Sequence, residues 1–398
     1  MSATDSPLSH ANPHLIDVYL AECRDLTLAE LRRVVETHAG HTGALHELVL
    51  DYPLRDAKAL RPALCIASCR ALGGPLEGVL PSAAILELYH NAFLLHDDVE
   101  DDSENRRGRE ALHREYGAPI AINVGDAMLA LALEPLLENM RLVGLGKAIR
   151  ILQVVARMAR ESTEGQALEL DWIRHGRWDL RASDYVRMVY KKTSWYTFVA
   201  PVLIGGIVAG ATARQLVALR KFAALLGIAF QIQDDVLNLT GEGDRYGKEI
   251  AGDLWEGKRT LILLHAMHGA SPAEQERARA ILAKPRPRSH DGATSPSLRA
   301  RLAERLETLT DAGEISAHAR GELAHLLATD APEEKTTGDI AWLRALVERS
   351  GANEYARGVA RDYAFKAERA FGEVDGLLPS SHRDFLTGLV RFVTMRDR

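Results

Sequence analysis

Apolar side chains return every three or four residues along most of this chain, as in LEGVLPSAAILELYHNAFLLHDD (76–98) and ARQLVALRKFAALLGIAFQIQDD (213–235). That spacing lines one face of a helix, and no series of alternating, turn-punctuated runs suggests strands. Alanine, leucine, glutamate and arginine, all good helix formers, fill much of the remainder. The chain reads as all-α, with ten or more helices. Residues 1–14 are polar and contain proline, and they read as a disordered tail before helical spacing begins at Leu15. Thr27 and Glu30 have the spacing of a capping box, which predicts a helix opening at TLAELRRVVETHA. The longest uncharged run, TFVAPVLIGGIVAGATA (197–213), falls short of a membrane span and is interrupted by Pro201 and glycines. It predicts a buried helix packed closely on its neighbours.

Two stretches break the pattern. KPRPRSHDGATSPS (284–297) and ATDAPEEKTTGD (328–339) are polar and proline-containing and read as exposed loops among short, charged helices. The chain is accordingly one domain from 15 to 398 with an insertion around 270–350, either a surface extension or a partner-binding or lid element.

Composition adds limits. At 46% hydrophobic and 26% charged over 398 residues, a substantial core is available. With 55 acidic against 49 basic side chains the formal charge is -6, so no net positive field draws the chain to nucleic acid or a membrane surface. Any phosphate binding must come from local basic clusters. Cys23, Cys65 and Cys69 are too few for a disulfide framework and lack zinc spacing, which fits small buried residues in a reducing cytoplasm. The first residues show no basic segment followed by an apolar one, so no secretory signal is expected.

The candidate chemistry sits at the ends of two apolar helices. FLLHDDVED (93–101) and FQIQDDVLN (230–238) echo one another: a phenylalanine, DDV four residues on, and a metal-capable side chain four after the first aspartate. Residues i and i+4 share a helix face, so Asp97 stacks with Asp101 and Asp234 with Asn238. Stacked like charges repel unless a cation sits between them, and Mg²⁺ typically takes one or two carboxylates plus substrate phosphates. Two such walls would clamp a metal–diphosphate complex. An isolated DDxxD is common on solvated helix ends; two of them on apolar helices are not. The EF-hand alternative fails for want of the glycine-turned loop. Cations follow: Arg106 and Arg107 after the first cluster, Lys192 beside the hydroxyl of Thr193 before an aromatic group, and Lys248 and Lys258 in GKEIAGDLWEGKRT. Arginine's planar fork suits phosphate, and the glycines of the last stretch let backbone and lysines approach a ligand.

DDVED with RRG after it, then KT, FQIQDD and GKEIAGDLWEGK, in this order, resemble the trans-isoprenyl diphosphate synthases, the head-to-tail prenyltransferases of the geranylgeranyl and farnesyl diphosphate synthase type. The resemblance runs from about residue 50 to 268 and resumes from about 350. It implies the isoprenoid synthase fold, a helical bundle around a central cavity, and a homodimer with one site per subunit. It implies three Mg²⁺ ions holding the allylic diphosphate through Asp97, Asp98, Asp101, Asp234 and Asp235, with Asn238 in the last position of the second motif. Arg106, Lys192, Thr193, Gln231 and Lys258 match groups around that diphosphate, and Lys248 extends them. Lys58, Arg61, His90 and Arg107 match the isopentenyl diphosphate site. The sequence departs from the family at Asp56, Ala57 and Ala59, where DAKALRP replaces GGKRLRP, and at Asn238, whose neutral oxygen weakens one metal contact. In the family an aromatic residue at the position of Ala92 or Phe93 shortens the product. One aromatic, Phe93, points to C20 with C15 second. The rival readings are a terpene cyclase on the same fold, against which the retained isopentenyl site argues, and a noncatalytic partner subunit, in which the aspartates should have eroded.

Overall fold

The computed structural model describes residues 13–38, 43–55, 57–240, 250–286, 298–329 and 333–395. The fold is all-α, and the only strands among these residues are Asn105–Arg106 and Arg109–Glu110, a two-residue antiparallel ladder. The first helix, α1 (Pro13–His38), corrects one expectation. It runs straight through Thr27, whose buried hydroxyl donates to the Cys23 carbonyl one turn back (2.6 Å), so it opens no helix there. Glu30 instead accepts from Arg33 on the same helix. α2 (Gly43–Leu54), α3 (Leu60–Ala71) and α4 (Leu76–Glu100) follow, and α4 is buried over most of its length, ending in the first aspartate cluster. α5 (Leu112–Tyr116), α6 (Ala118–Leu131), α7 (Leu133–Val143) and α8 (Leu145–Arg174) lead to α9 (Ala182–Val189).

The uncharged run does form buried helix, but not of one kind. Tyr190–Val199 is a π-helix, continued by α10 (Ala200–Ala209). α10 lies against α3 so closely that a Cβ on Gly205 would stand 2.2 Å from the Cys65 carbonyl oxygen. Cys65 and Cys69 are both buried on α3, as their apolar surroundings suggest.

Two buried apolar clusters make up the core, and among the described residues three helices contribute to both, α8 through Ile151 and Val155 on one side and Trp172 on the other. α11 (Ala213–Thr240) contributes Leu219, Phe222 and Leu226 to the larger and Ile232, Val236 and Leu239 to the smaller. The helix Ala352–Gly372 packs along it. That helix places Ala352, Ala356 and Ala360 in the smaller cluster and Ala364, Ala367 and Ala370 in the larger. A stripe of alanines at helical spacing is what lets the two backbones approach over this length.

Three stretches among the described residues are long and apolar enough to cross a membrane by length and composition: 76–100, 118–143 and 213–240. In the first of them 83% of the apolar window is buried inside the protein, which is where α4 spends its hydrophobicity. The helices Leu298–Asp311 and Ala317–Thr329 lie in the segment read as an insertion, and most of their described side chains are exposed. The base of this segment is tied by the Lys335 amide donating to the Pro285 carbonyl (2.9 Å).

The Gly205 contact gives a stability test. Gly205→Ala should destabilise the fold by about 1–3 kcal/mol through overpacking. Gly358→Ala, on the helix Ala352–Gly372 where a Cβ meets nothing within 4 Å, should stabilise it slightly. Urea denaturation of both variants distinguishes packing from helix propensity; equal effects would refute the close approach.

Candidate active site

A cavity of about 630 Å³ opens where the two clusters meet, and both acidic helix ends reach it. Asp97 comes from the last turn of α4, Asp234 and Asp235 from the last turns of α11. Asp101 caps α4, its amide donating to the Asp97 carbonyl (2.8 Å). Their charge is met by two lysines from elsewhere in the chain. Lys192 Nζ lies 3.4 Å from Asp97 and also pairs with Glu169 on α8. Lys258 Nζ bridges Asp101 (2.7 Å) and Glu256 (2.6 Å). Burial works against both ammonium groups, but the surrounding carboxylates raise them well above the usual lysine range. Burial pushes Asp101 up to about 7, with Lys258 pulling it down and Asp97 and Glu256 pushing it up.

The second aspartate of each DD pair does something different. Asp98 is fully buried and does not line the cavity with Asp97; it forms an ion pair with Arg106 and accepts from the Tyr52 hydroxyl (2.7 Å). Asp235 lines the cavity, but both its oxygens are taken, by the Tyr185 hydroxyl (2.6 Å) and by Gln231 (2.8 Å). Gln231 in turn accepts from Thr193 (2.8 Å), so three of the expected residues form one chain of hydrogen bonds ending on a tyrosine. Burial raises Asp235 to about 7, against the lowering effect of those two donors. In each cluster one aspartate faces the cavity and the next is anchored to the fold by a tyrosine.

The RRG sequence is a hairpin. Arg107 and Gly108 both have positive φ (52° and 73°), as the two central residues of a tight hairpin turn require, and they join the short strands. The turn aims Arg106 at Asp98 and Arg107 between α4, where it meets His90 (3.3 Å) and Asn91 (3.3 Å), and α2, where it donates to the Tyr52 carbonyl (2.6 Å). Arg55, itself buried, holds the hairpin by donating to the carbonyls of Arg106 (3.0 Å) and Glu110 (2.9 Å). Lys58 and Arg61 line the same end of the cavity as His90 and Arg107, around the start of α3. The turn into α3 passes through Ala59 in a left-handed conformation (φ 49°). Arg61 donates to Thr197 (2.8 Å) and lies over the ring of Tyr196 at 4.5 Å.

Lys192, Thr193, Tyr196 and Thr197 all reach the cavity from the π-helix, whose wider turn presents them together. The flanking helices make room with glycine. A Cβ on Gly165 of α8 would lie 2.3 Å from the Lys192 amide nitrogen, and one on Gly227 of α11 would lie 2.7 Å from the Ser194 side chain.

Asn238 turns to the backbone. Its Oδ1 accepts the Asp253 amide (3.2 Å) and its carbonyl accepts that of Ala251 (2.8 Å), which pins the start of the helix Gly252–Glu256 beside the cavity. Phe93 is half-buried behind the cavity lining, edge-on to Tyr196 (5.6 Å between centroids) and to Tyr89 (6.0 Å). Lys248 and Asp56 lie outside the described residues. Sequence reasoning missed Gln166, which donates to Asp97 (3.1 Å), and also Glu169, Tyr185 and Asp253. GQALE at 165–169 carried a trace of the first two, a polar pair on one face beside the glycine; the tyrosines carried none.

Asp98→Ala should leave the Arg106 guanidinium buried without its counter-charge and cost about 3–5 kcal/mol of stability. Asp97→Ala, at the cavity wall, should cost far less. Chemical denaturation of the two variants checks the division of labour, and similar losses would refute it.

Comparison with known proteins adds an independent line. A family model described as Polyprenyl synthetase matches residues 44–294. A short chain isoprenyl diphosphate synthase of Methanocaldococcus jannaschii is 34% identical over 255 residues, 64% of this chain and 76% of that protein. An octaprenyl diphosphate synthase of Escherichia coli is 33% identical over 225 residues, 56% of this chain and 67% of its own. The crystal structure of a geranylgeranyl pyrophosphate synthetase from Pyrococcus horikoshii superposes with a TM-score of 0.73 at 26% identity, covering 95% of this chain and 98% of that one.

Proposed function

The chain belongs to the polyprenyl synthetase family of trans-prenyl diphosphate synthases, and from that premise we propose that it condenses isopentenyl diphosphate with an allylic prenyl diphosphate to make geranylgeranyl diphosphate. One observation carries the reading: two acidic helix ends and two basic groups line a single cavity, with the cations divided between its acidic wall and the end formed by α3, α4 and the hairpin.

Mg²⁺ is the proposed cofactor, held by Asp97, Asp101 and Asp234. Among the described residues no three carboxylates, histidines or cysteines converge closely enough to hold an ion unaided. Mg²⁺ would complete its shell there with water and substrate phosphate. When bound, it neutralises charge on the departing diphosphate. Lys192 and Lys258, now paired with carboxylates, would exchange them for phosphate oxygens, and Thr193 with Gln231 would orient the same group. Lys58, Arg61, His90 and Arg107 would hold isopentenyl diphosphate alongside. The allylic carbon–oxygen bond breaks with its electron pair leaving on diphosphate. The isopentenyl double bond supplies the pair for the new carbon–carbon bond, and the proton then lost passes to the released diphosphate. Leu94, Met188, Val189 and Phe230 line the cavity and would keep water from the cation.

Chain length rests on the wall that Tyr196 and Phe93 build together. We further propose a homodimer covering the exposed apolar side chains Leu145, Ile149 and Leu152 of α8 and Leu133, Leu137 and Met140 of α7, which share helix faces at i, i+4, i+7 spacing.

With Mg²⁺, isopentenyl diphosphate and a C5, C10 or C15 starter, the expected product is a C20 alcohol after phosphatase treatment, identified by mass. Diphosphate release without isopentenyl consumption would identify a cyclase, and absence of turnover with every starter would favour a noncatalytic subunit. Phe93→Ala should lengthen the product by at least one isoprene unit; an unchanged length would remove Phe93 from the wall.

Metal dependence carries a pH signature. Asp101, one of the proposed ligands, keeps its proton up to about pH 7 in the folded chain but releases it near 3.8 when unfolded. Its contribution to stability is therefore present below about pH 4 and is lost as pH rises through about 7. A divalent cation replaces the protons at the acidic wall, so the rise in Tm produced by Mg²⁺ should be larger at pH 8 than at pH 6. Equal rises would mean that the wall is already ionised at pH 6.

A further inference from the structure

A second cavity, of about 560 Å³, adjoins the first: Arg259 lines both, and Asp101 forms part of its wall. It is built by the segment that follows α8, by the helix Gly252–Glu256, and by the two ends of the segment around 270–350, which contribute Arg286 and Lys335. Lys335 is 4% exposed, and its ammonium donates to one protein group, the Trp255 carbonyl (2.7 Å). Arg259, also 4% exposed, donates to the carbonyls of Arg177 (3.2 Å) and Gly257 and stacks on Trp178 at 4.3 Å. Among the described residues no carboxylate stands within ion-pair distance of either group, whereas Arg55, Arg106, Lys192 and Lys258 each have one. The two converge: a Cβ on Gly257 would lie 3.4 Å from Arg259 Nη1 and 3.8 Å from Lys335 Nζ.

The nearby carboxylates are committed elsewhere. Glu256 and Asp101 are held by Lys258, and Glu100 accepts from Gln166 (2.6 Å). Two buried cations with only carbonyl partners are costly, and the cost falls when an anion enters beside them. Burial, and then Arg259, push Lys335 down to about 8, the response of an ammonium group short of negative charge.

We propose that this cavity is a second anion site, which takes a diphosphate group on Lys335 and Arg259 without a metal ion. The choice of diphosphate rests on the reading of the neighbouring cavity as one that releases it; the anion site itself does not. The group has two sources: free inorganic diphosphate, or the head of a prenyl diphosphate whose chain would lie along Trp255, Ile173 and Leu282 on the apolar part of the wall.

The test is titration of the full chain in EDTA with inorganic diphosphate, followed by calorimetry and by the fluorescence of Trp178 and Trp255. Saturable binding is expected. Lys335→Met should weaken it about tenfold or more, the size of a charge-assisted hydrogen bond, while leaving turnover at saturating substrate unchanged. Lys335→Arg should retain it, and Lys192→Ala, in the catalytic cavity, should not alter it. Should Lys335→Met fail to fold, Arg286→Gln on the rim should weaken binding by a smaller factor, and an unchanged affinity there overturns the proposal. No saturable binding to the wild type, binding indifferent to Lys335, or binding lost in Lys192→Ala would overturn it as well. A repeat with a prenyl thiolodiphosphate assigns the source: tighter binding than inorganic diphosphate indicates an esterified ligand, and equal binding indicates the free anion. Because no turnover is read in EDTA, failure here leaves the synthase reading standing, and failure of the synthase assay leaves this site standing.

Discussion

Carboxylates at two helix ends have to share one cavity in the interior of a helical protein, and the rest of the architecture follows from how that charge is held. Asp97 and Asp101 stand one turn apart at the end of a helix that is otherwise buried and apolar. Each takes a lysine from a distant part of the chain, Lys192 from the π-helix and Lys258 from the turn after Gly252–Glu256. These pairs do more than neutralise. They tie three separate segments to one wall, so that a ligand competing for the lysines loosens or replaces contacts on all three. Asp98 and Asp235 are held in another way. Each accepts from a tyrosine hydroxyl, Tyr52 or Tyr185, and neither keeps an oxygen free for a second task of the same kind. A doubled aspartate thus divides into a residue that faces the cavity with an oxygen to offer and a residue whose oxygens fix the helix end in place.

The π-helix is the second consequence. Lys192, Thr193, Tyr196 and Thr197 stand at i, i+1, i+4 and i+5, a spacing that spreads over about 140° of an α-helix at about 100° per residue, and the slower turn of the π-helix gathers the same four over a narrower arc. Its larger girth has to be accommodated, and both neighbours do so by giving up a side chain at the contact, Gly165 on one side and Gly227 on the other. The glycines lie far apart in sequence and have no turn to make. Their role is visible only once the helix between them is known to be wide.

This explains what could be read in advance. Periodicity gave the helices, because burial of one face leaves a direct record in the order of apolar residues, and the order of charged motifs gave the family. Thr27 misled because a hydroxyl can return to the carbonyl a turn back as well as cap a new helix, and the local sequence is the same in both cases. Asp98 looked like Asp97 because sequence carries residue type, whereas the hairpin that turns Arg106 onto Asp98 depends on Arg55 reaching two carbonyls some fifty residues away. Tyr52 and Tyr185 were unreadable for the same reason: an aromatic at helical spacing is recorded as core, whatever its hydroxyl meets.

Asn238 shows how a departure from a motif can be consistent with the chemistry around it. Its side-chain oxygen accepts the amide of Asp253, and its carbonyl accepts that of Ala251, which holds the left-handed residue that starts the helix Gly252–Glu256. An aspartate there could accept the same amide. It would also place another negative charge on the wall that already carries Asp234, Asp235 and Asp253, with Lys258 committed to Asp101 and Glu256. Like charges gathered in a poorly solvated wall raise one another's proton affinity, and Asp235 already sits at about 7. A neutral side chain keeps the backbone contact and spares the neighbours that repulsion. On this wall the last residue of the motif serves the position of the helix that follows, and the carboxylate can be given up because its hydrogen bond, not its charge, is what the fold uses.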